Sequence, residues 1–265
     1  MISHVRRVDN GTYFTSNASG ELVEPALTDD DLRELYGYPP TSGRPWVRAN
    51  FVSSIDGAAS VDGKSGGLGS EADRRVFRIL RELADAVVVG AGTARAENYG
   101  GVSLDAEARA RRQERGAPHT PPVVVISGRA DLDAHSRLFA ETAVPTIVIA
   151  GANADKERLS ALESAGADVV RTDTSHVTTT VLLETLAGRG LHHILCEGGP
   201  GLFGRLCADD GIDELCSTVS PVLVGGQAPR ISTSPSPHLV PMTREHILAE
   251  DDGTLLFRWV RSRPA

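Results

Sequence analysis

The sequence predicts an α/β fold built on a mostly parallel sheet. Short apolar segments alternate with segments of helical periodicity, and this alternation implies right-handed β–α–β crossovers. Segments such as Val123–Ile126 are continuously apolar, as strands covered on both faces should be. With 265 residues and no linker marked by a change in composition, we expect one α/β domain.

The first forty residues predict a weakly structured lead-in that ends in one short helix. Thr28 offers an N-cap hydroxyl, apolar residues follow from Leu32 at helical spacing, and Pro39 cannot continue a helix. We therefore treat residues 1–40 as an N-terminal extension and residues 41–265 as the main domain.

From Trp46 onward the elements follow in regular order. The predicted strands are Trp46–Ser54, Ala86–Val89, Val123–Ile126, Thr146–Ile149, Val169–Arg171 and His193–Cys196. The predicted helices are about Glu71–Leu83, Asp155–Ala165, Thr179–Ala187 and Leu202–Ala208. Gly100–Pro122, rich in Arg and Glu, is interpreted as a surface excursion. Near the C terminus, Glu214–Val224 and Leu255–Val260 are predicted to be antiparallel edge strands, since only loop and a short polar stretch separate them.

Composition excludes several classes of function. The 27 Lys and Arg against 35 Asp and Glu leave a formal charge of −8, which argues against a protein that neutralises nucleic-acid phosphates. No run approaches the ~18 apolar residues of a membrane span, and no apolar segment follows the first arginines as in a secretory signal. Three cysteines are too few for a disulfide framework, so we expect a reduced, cytoplasmic protein without a metal site.

Three strand ends carry glycine, where an open α/β sheet places its ligands. In His193–Gly204, three glycines fit Gly-x-Gly-x-x-Gly between a predicted strand and a predicted helix: Gly199, Gly201 and Gly204. Such a turn can hold a diphosphate on backbone N–H groups, or it can be a tight junction only. The acid that would follow roughly 20 residues later to bind a ribose is missing, so this is not the standard dinucleotide fold.

The other two loops leave their roles open. Gly90 and Gly92 allow a ligand to approach the backbone beside the Thr93 hydroxyl, although a tight strand exit explains them equally well. Asp56 ends its strand either as a catalytic or orienting carboxylate or as the first residue of an Asp-Gly turn. A P-loop at Gly63–Ser65 fails on spacing, because the required earlier glycine is Ala58.

Taken together, five segments resemble the RibD C-terminal reductase family of riboflavin biosynthesis. They are Asn50–Gly57, Ser65–Arg81, Gly90–Thr93, Glu197–Gly204 and Ser220–Gly226. The resemblance implies a dihydrofolate-reductase-like fold, a three-layer sandwich. It implies NADPH-dependent reduction of 5-amino-6-(5-phosphoribosylamino)uracil, whose ribosyl group becomes ribityl by hydride transfer to C1′. The deaminase that accompanies many members has no counterpart in this sequence.

The resemblance also implies site residues. Gly199 to Arg205 would hold the NADPH diphosphate, and Ser127 with Arg129 would meet its 2′-phosphate. The implied cofactor contacts are Val52, Gly67, Gly90, Gly92, Thr93, Glu97, Ser127, Arg129, Gly198, Gly199, Pro200, Gly201, Leu202, Phe203 and Gly204. The implied substrate contacts are Ser54, Ser65, Arg81 and Glu197. We further hypothesise that Asp56 and Glu197 orient the substrate and assist proton transfer; which one is the acid stays open.

Two departures from the family pattern keep alternatives open. The family's Asp-Asp-Pro and its following Leu and Arg are replaced by Glu97–Ser103, and Gly67 stands where many members carry Trp. A dihydrofolate or dihydropteridine reductase of the same fold is therefore one alternative, and a non-catalytic NADPH-binding protein is another. By resemblance we expect a homodimer paired through its edge strands and a phosphorylated heterocycle as the small-molecule partner, with no nucleic acid or membrane partner.

Overall fold

A ten-stranded mixed sheet organises the molecule, in the order β1-β11-β12-β10-β4-β9-β5-β6-β7-β8. The computed structural model describes residues 5–9, 15–16, 22–23, 26–41 and 43–263. The strands are β1 (Arg6–Arg7), β2 (Thr15–Ser16), β3 (Leu22–Val23), β4 (Trp46–Ser54), β5 (Ala86–Gly90), β6 (Val123–Ser127), β7 (Ile147–Ala150), β8 (Asp168–Arg171), β9 (His193–Cys196), β10 (Glu214–Ser220), β11 (Met242–Ala249) and β12 (Leu255–Arg261). The helices are α1 (Asp29–Leu35), α2 (Glu71–Leu83), α3 (Ala91–Ala96), α4 (Ala106–Glu114), α5 (Arg137–Ala140), α6 (Lys156–Ser164), α7 (Thr179–Ala187) and α8 (Pro200–Ala208).

The sheet is parallel from β10 through β4, β9, β5, β6 and β7 to β8. β12, β11 and β1 extend it in antiparallel fashion beyond β10, while β2 and β3 form a separate small pair. Apolar cores lie on both faces. One contains Leu32 of α1 and Leu80 of α2, and the other contains Leu182 of α7 and Leu206 of α8. The predicted α/β class, with a mostly parallel sheet between two helical layers, is confirmed.

The predicted extension contributes its helix to one of these layers. Thr28 and Asp31 form a reciprocal cap at the start of α1: Asp31 N donates to Thr28 Oγ1 at 3.2 Å, and Thr28 N donates to Asp31 Oδ2 at 2.7 Å. Leu32 is fully buried, and Arg75 of α2 pairs with Asp29 at 2.5 Å. The helix therefore packs on α2 and shares its core. The rest of the predicted lead-in lies mostly outside the described residues.

Two C-terminal predictions were wrong in placement. Glu214–Val224 and Leu255–Val260 were expected at an edge, but β10 and β12 each have a paired neighbour on both sides, and β10 runs parallel to β4. Strand β11 pairs with β12 on the side away from β10, so neither β10 nor β12 is at the edge. The sequence did not predict β11, because its stretch Thr243–Glu245 is polar and interrupts the hydrophobic pattern. His246 and Leu248 alternate into the core on this strand, and pairing with β12 satisfies its backbone.

The predicted surface excursion Gly100–Pro122 contains a helix, α4, which has almost no apolar stripe. It is attached through a buried arginine: Arg112 Nη1 donates to the backbone oxygens of Glu82 and Ala84 at 2.7 and 2.5 Å. These are carbonyls at the C-terminal end of α2, where a guanidinium satisfies unpaired acceptors and complements the helix dipole. Arginine at this position, and not an apolar face, docks the helix.

Within the described residues no helix has the length and apolar character needed to cross a bilayer.

Candidate active site

A cleft of about 320 Å³ opens where β4, β5 and β9 end, at the carboxyl edge of the parallel strands. β4 contributes Asn50, Phe51 and Val52 to its wall. The other lining residues come from the segment after β4, from α2, from α3 and the residues that follow it, from Glu197 after β9, from the start of α8, and from Pro229 after β10. The segments that follow the three glycine-bearing strand ends singled out from the sequence thus meet in one place.

Glu197, at the end of β9, is the best-anchored charged group of the cleft. Its carboxylate accepts Arg81 Nε and Nη2, both at 2.7 Å, in a bidentate pair. It also accepts the Tyr99 hydroxyl at 2.7 Å. Burial opposes the charge on Arg81, but the adjacent carboxylate outweighs it and raises the guanidinium pKa. Burial, and next the charge of Glu197, raise the pKa of Tyr99 well above its usual value, so its hydroxyl stays a donor.

Helix α2 presents one stripe of side chains toward the cleft, with Asp73, Phe77 and Arg81 on successive turns. Asp73 and Phe77 line the cleft directly, and the Arg81 guanidinium lies 4.2 Å above the Phe77 ring centroid. Ser70 caps the helix by accepting from Asp73 N at 3.2 Å. A carboxylate, an aromatic face and an ion pair are therefore arranged along one wall.

The glycine loop after β9 combines tight packing with open space. A Cβ on Gly199 would lie 2.1 Å from Thr93 Oγ1, and one on Gly204 would lie 2.0 Å from the Thr233 carbonyl oxygen. Both glycines are needed for packing. Gly201 has nothing within 4 Å of its Cβ position, and no side chain caps the start of α8. Among the described residues no side chain therefore accepts the backbone N–H groups at the start of α8, as is typical of a helix terminus that binds an anion.

Several predicted cofactor residues converge around this loop. Gly90 N donates to Gly198 O at 2.7 Å, which joins the ends of β5 and β9. Thr93 of α3 and Glu97, which follows the last residue of α3, both line the cleft. Glu97 Oε1 accepts a hydrogen bond from Ser65 N at 2.8 Å. The predicted cofactor residues Val52, Gly199 and Pro200 also line the cleft, as does Ser65, which was predicted to contact the substrate.

Other predicted residues stand apart from the cleft wall. Phe203 packs against Phe51 in the core, with ring centroids 4.8 Å apart. Gly67 does not line the cleft, although Gly66 and Gly69 do. Ser127 and Arg129 lie at the end of β6, two strands from β9. Gly92, Gly198 and Leu202 border the glycine loop without lining the cleft.

Asp56, one of the two hypothesised catalytic carboxylates, lies exposed and outside the cleft wall. It accepts Ser54 Oγ at 2.5 Å, Gly225 N at 2.7 Å and Val224 N at 3.2 Å. The Ser54 hydrogen bond, followed by the two backbone donors, lowers the pKa of this carboxyl to about 2. Ser54, predicted to bind substrate, is buried and also accepts Ala58 N at 2.9 Å. The pair joins two loops.

Sequence reasoning missed several cleft residues. Asn50, Asp73, Arg74, Phe77 and Tyr99 all contribute to the wall. The i, i+4, i+8 spacing from Asp73 to Arg81 was the available signal, because it puts the intermediate Phe77 on the same face as a residue already singled out. Tyr99 was noted only as a departure from the family pattern. Among the described residues, no cluster of His, Cys, Asp and Glu side chains has the makings of a metal site.

Comparison with known proteins places the chain in a family. Residues 45–256 match the model of the RibD C-terminal domain. The chain is 30% identical over 185 residues to a 2,5-diamino-6-ribosylamino-4(3H)-pyrimidinone 5′-phosphate reductase of Archaeoglobus fulgidus, covering 69% of this chain and 84% of the relative. A reductase of the same name from Methanothermobacter thermautotrophicus is 31% identical over 187 residues, covering 71% and 82%.

Solved structures of related proteins have the same fold. The crystal structure of a pyrimidine reductase-like protein from Corynebacterium diphtheriae superposes with a TM-score of 0.78 at 28% identity, covering 90% of this chain and all of that one. The fold is that of the dihydrofolate-reductase-like reductases, as the resemblance implied. With the cleft at the expected strand ends and the family model matched along most of its length, this chain belongs to the RibD C-terminal domain family of riboflavin-biosynthesis reductases.

Proposed function

We propose that this protein is an NADPH-dependent reductase that converts the ribosyl group of a phosphorylated ribosylaminopyrimidine into a ribityl chain. The observation that carries the proposal is the Glu197 carboxylate, held by Arg81 and Tyr99 at the end of β9, beside the uncapped start of α8. An anchored carboxylate and an anion-binding helix terminus share one cleft. Such a site suits a negatively charged cofactor and a substrate rich in hydroxyl and amine donors.

The residues present fit a dinucleotide. A diphosphate would accept the first-turn N–H groups of α8, and the bare Cα of Gly201 leaves room for it. Arg129 is exposed, and its guanidinium forms no ion pair with any described residue. We assign it to the 2′-phosphate that distinguishes NADPH from NADH.

When bound, the nicotinamide supplies a hydride to C1′ of the substrate. The ribosylamine first opens to an imine: the C1′–O4′ bond breaks and the amine proton passes to O4′. The hydride then forms the new C–H bond at C1′, and the imine nitrogen takes up one proton from solvent. Glu197 orients the sugar by accepting its hydrogen bonds, and Tyr99 and Arg81 hold that carboxylate in place. Asp56 is assigned to the structure of its loops, because three donors already occupy its oxygens.

Arg74 is the cation we assign to the substrate phosphate. The resemblance implied Arg81 as a substrate contact, but its Nε and Nη2 both donate to Glu197. Arg74 lines the cleft one helical turn from Phe77 and keeps 56% of its side chain exposed. Among the described residues its guanidinium makes a 3.5 Å contact with Glu71 and a hydrogen bond to Gly69 O. An anion can therefore recruit it at little cost.

The decisive experiment measures NADPH oxidation by the purified protein. Phosphorylated ribosylaminopyrimidines should be reduced, and dihydrofolate is the comparison substrate for the alternative activity. Tight NADPH binding without reduction of any substrate would point to a binding protein. Absence of NADPH binding in calorimetry would refute both the reductase and the non-catalytic NADPH-binding protein.

We also propose a homodimer. Strands β10 and β12 are interior and cannot pair with a second copy, but Ile55, Val222 and Leu223 form an exposed apolar group at two hydrogen-bonded loops. Light scattering should give twice the chain mass, and the Leu223→Asp variant should shift it toward the monomer. A monomeric wild type at micromolar concentration would reject this assembly.

Finally, we propose a cytoplasmic location. Cys196, Cys207 and Cys216 are all free thiols, as expected in a reducing compartment. Fractionation of the producing cell should recover the protein with cytoplasmic markers, and recovery with secreted proteins would contradict the proposal.

A further inference from the structure

One wall of the cleft is a single segment between β4 and α2, residues 59–69, which we call the flap. Both of its ends and much of its length line the cleft: Ala59, Ser60, Gly63, Ser65, Gly66 and Gly69. Its tip is a tight hairpin, in which Val61 and Lys64 exchange two backbone hydrogen bonds of 2.9 and 3.0 Å. In this fully described segment only Leu68 is buried. A segment with so few buried side chains can open without disturbing the core.

A second segment, residues 225–233 after β10, borders the same cleft, and we call it the strap. Pro229 lines the cleft, and its carbonyl oxygen accepts Ala59 N of the flap at 2.9 Å. At the far end of the strap, Thr233 N donates to Pro200 O, in the first turn of α8, at 3.0 Å. The strap therefore joins the flap to the helix assigned to the cofactor diphosphate.

The flap and the strap are tied together where they leave the sheet, and Asp56 makes that tie. Its carboxylate accepts Gly225 N, at the first residue of the strap, at 2.7 Å. It also accepts Ser54 Oγ, which itself accepts Ala58 N at 2.9 Å, one residue before the flap. Because the two segments are linked at their roots, a displacement of one should displace the other.

Glu97 holds the flap against the α3 side of the cleft. Its Oε1 accepts Ser65 N, in the middle of the flap, at 2.8 Å, and Glu97 itself directly follows α3. A carboxylate that accepts a backbone N–H makes a charge-assisted hydrogen bond, which is stronger than a neutral one. Opening the flap breaks this bond, because Ser65 moves with the flap and Glu97 stays with α3.

We propose that the flap and the strap move as one lid over the cleft, and that Asp56 and Glu97 are its positioning residues. Glu97 keeps the lid closed, and Asp56 makes its two parts move together. The inference rests on the proposed function for the identity of the ligand, NADPH, that passes the lid. A closed lid slows the dissociation of a bound ligand and excludes water from the reacting groups.

Hydrogen–deuterium exchange of the ligand-free protein tests the role of Glu97 without an assay of activity. Glu97→Ala removes the acceptor of Ser65 N, so the amides of residues 59–69 should exchange about tenfold faster. Glu97→Gln keeps an acceptor oxygen and should stay close to the wild type. Unchanged exchange of the flap in Glu97→Ala would overturn the assignment of Glu97.

The same variants have a kinetic signature. In Glu97→Ala the rate constant of NADPH dissociation, measured by stopped-flow fluorescence, and KM for NADPH should both rise about tenfold. The value of kcat should fall by no more than about twofold, since the reacting groups are unchanged. A large fall in kcat with an unchanged KM would place Glu97 in the chemistry instead. If NADPH does not bind at all, the proposed function fails, whereas the exchange experiment still decides whether the lid exists.

Asp56 is tested by asking whether the flap and the strap respond together. Asp56→Ala removes the acceptor of Gly225 N and Ser54 Oγ, so exchange should quicken in residues 59–69 and 225–233 alike. Asp56→Asn keeps one acceptor oxygen, should have a smaller effect, and replaces the Ala variant if that one fails to fold. A response confined to one segment would overturn the coupling.

Asp62→Asn is the matched control. It removes a charge from the exposed tip of the flap, at a φ of 50° that Asn tolerates. Its exchange and its NADPH dissociation should equal those of the wild type. Faster exchange in this variant too would mean that any loss of charge loosens the flap, and would overturn the specific roles of Asp56 and Glu97.

Discussion

Arg81 and Glu197 join the end of α2 to the end of β9 through two parallel hydrogen bonds of 2.7 Å. The Arg81 side chain is only 20% exposed and the Glu197 side chain 2%. Each group therefore supplies the counter-charge without which the other would be a buried, unpaired ion. Because Tyr99 donates to the same carboxylate, three segments meet at one group. The contact fixes the floor of the cleft and the helix whose stripe forms its wall.

The substitution Glu197→Gln should reduce kcat by about 10²- to 10⁴-fold, the range for loss of a positioned polar group at a reacting centre. It should also lower stability by about 1–3 kcal/mol, because Arg81 loses its counter-charge. Steady-state kinetics and urea unfolding measure the two effects. A Glu197→Gln enzyme with wild-type turnover would remove this residue from the chemistry.

Removing the Tyr99 hydroxyl tests the positioning of Glu197 without changing its charge. Tyr99→Phe deletes the 2.7 Å hydrogen bond to Glu197 and should lower kcat/KM about tenfold, with little change in melting temperature. Tyr38→Phe is the matched control, since the buried Tyr38 hydroxyl has no hydrogen-bond partner among the described residues. Equal effects of the two substitutions would contradict a specific role for Tyr99.

Cofactor selectivity should depend on Arg129. Replacing it with Gln removes the cation assigned to the 2′-phosphate, so KM for NADPH should rise about tenfold while KM for NADH changes little. Arg109→Gln, on the exposed face of α4, controls for the loss of one surface charge. A parallel rise in both KM values would place the 2′-phosphate elsewhere.

The buried cluster around Glu214 should carry much of the stability of the C-terminal half of the sheet. Arg48 and Arg258 donate to Glu214 at 2.6 and 2.8 Å, and Trp46 donates at 3.0 Å. Burial opposes ionisation, but the two guanidinium groups prevail and lower the Glu214 pKa. Glu214→Ala should cost about 3–5 kcal/mol in urea unfolding, since it leaves two buried cations unpaired. Glu107→Gln, with an 87% exposed side chain, should cost almost nothing.

His246 should make stability depend on pH. Burial, followed by the charges of Arg258 and Arg7, lowers its pKa to about 4. The unfolded chain binds a proton below about 6.5 and the folded one only below about 4, so acidification across this window should remove up to about 3 kcal/mol. His246→Phe should reduce that loss in melts at pH 7 and pH 4.5. An unchanged pH dependence would show that the buried imidazole is not responsible.

Much of the strand–helix order was predictable because local signals are strong where a segment is buried on both faces. Val123–Ile126 is an example: it was predicted as a strand and lies in β6, where every residue is buried. Helix α4 and strand β11 were not, because each is held by partners distant in sequence. Arg112 reaches the carbonyls of Glu82 and Ala84, and β11 exists through its pairing with β12.

The sequence by itself determined the α/β architecture and the glycine-bearing strand ends, since hydrophobic period and turn chemistry act locally. Glu197 as a site residue was implied by the family resemblance and stays a prediction. Only the tertiary structure decided what each charged group is available to do. It engaged Arg81 with Glu197, used Asp56 to join two loops, and placed Asp73 in the cleft. The reason is physical: the availability of a charged side chain depends on which partners the fold brings within hydrogen-bonding distance, and those partners lie up to 169 residues away.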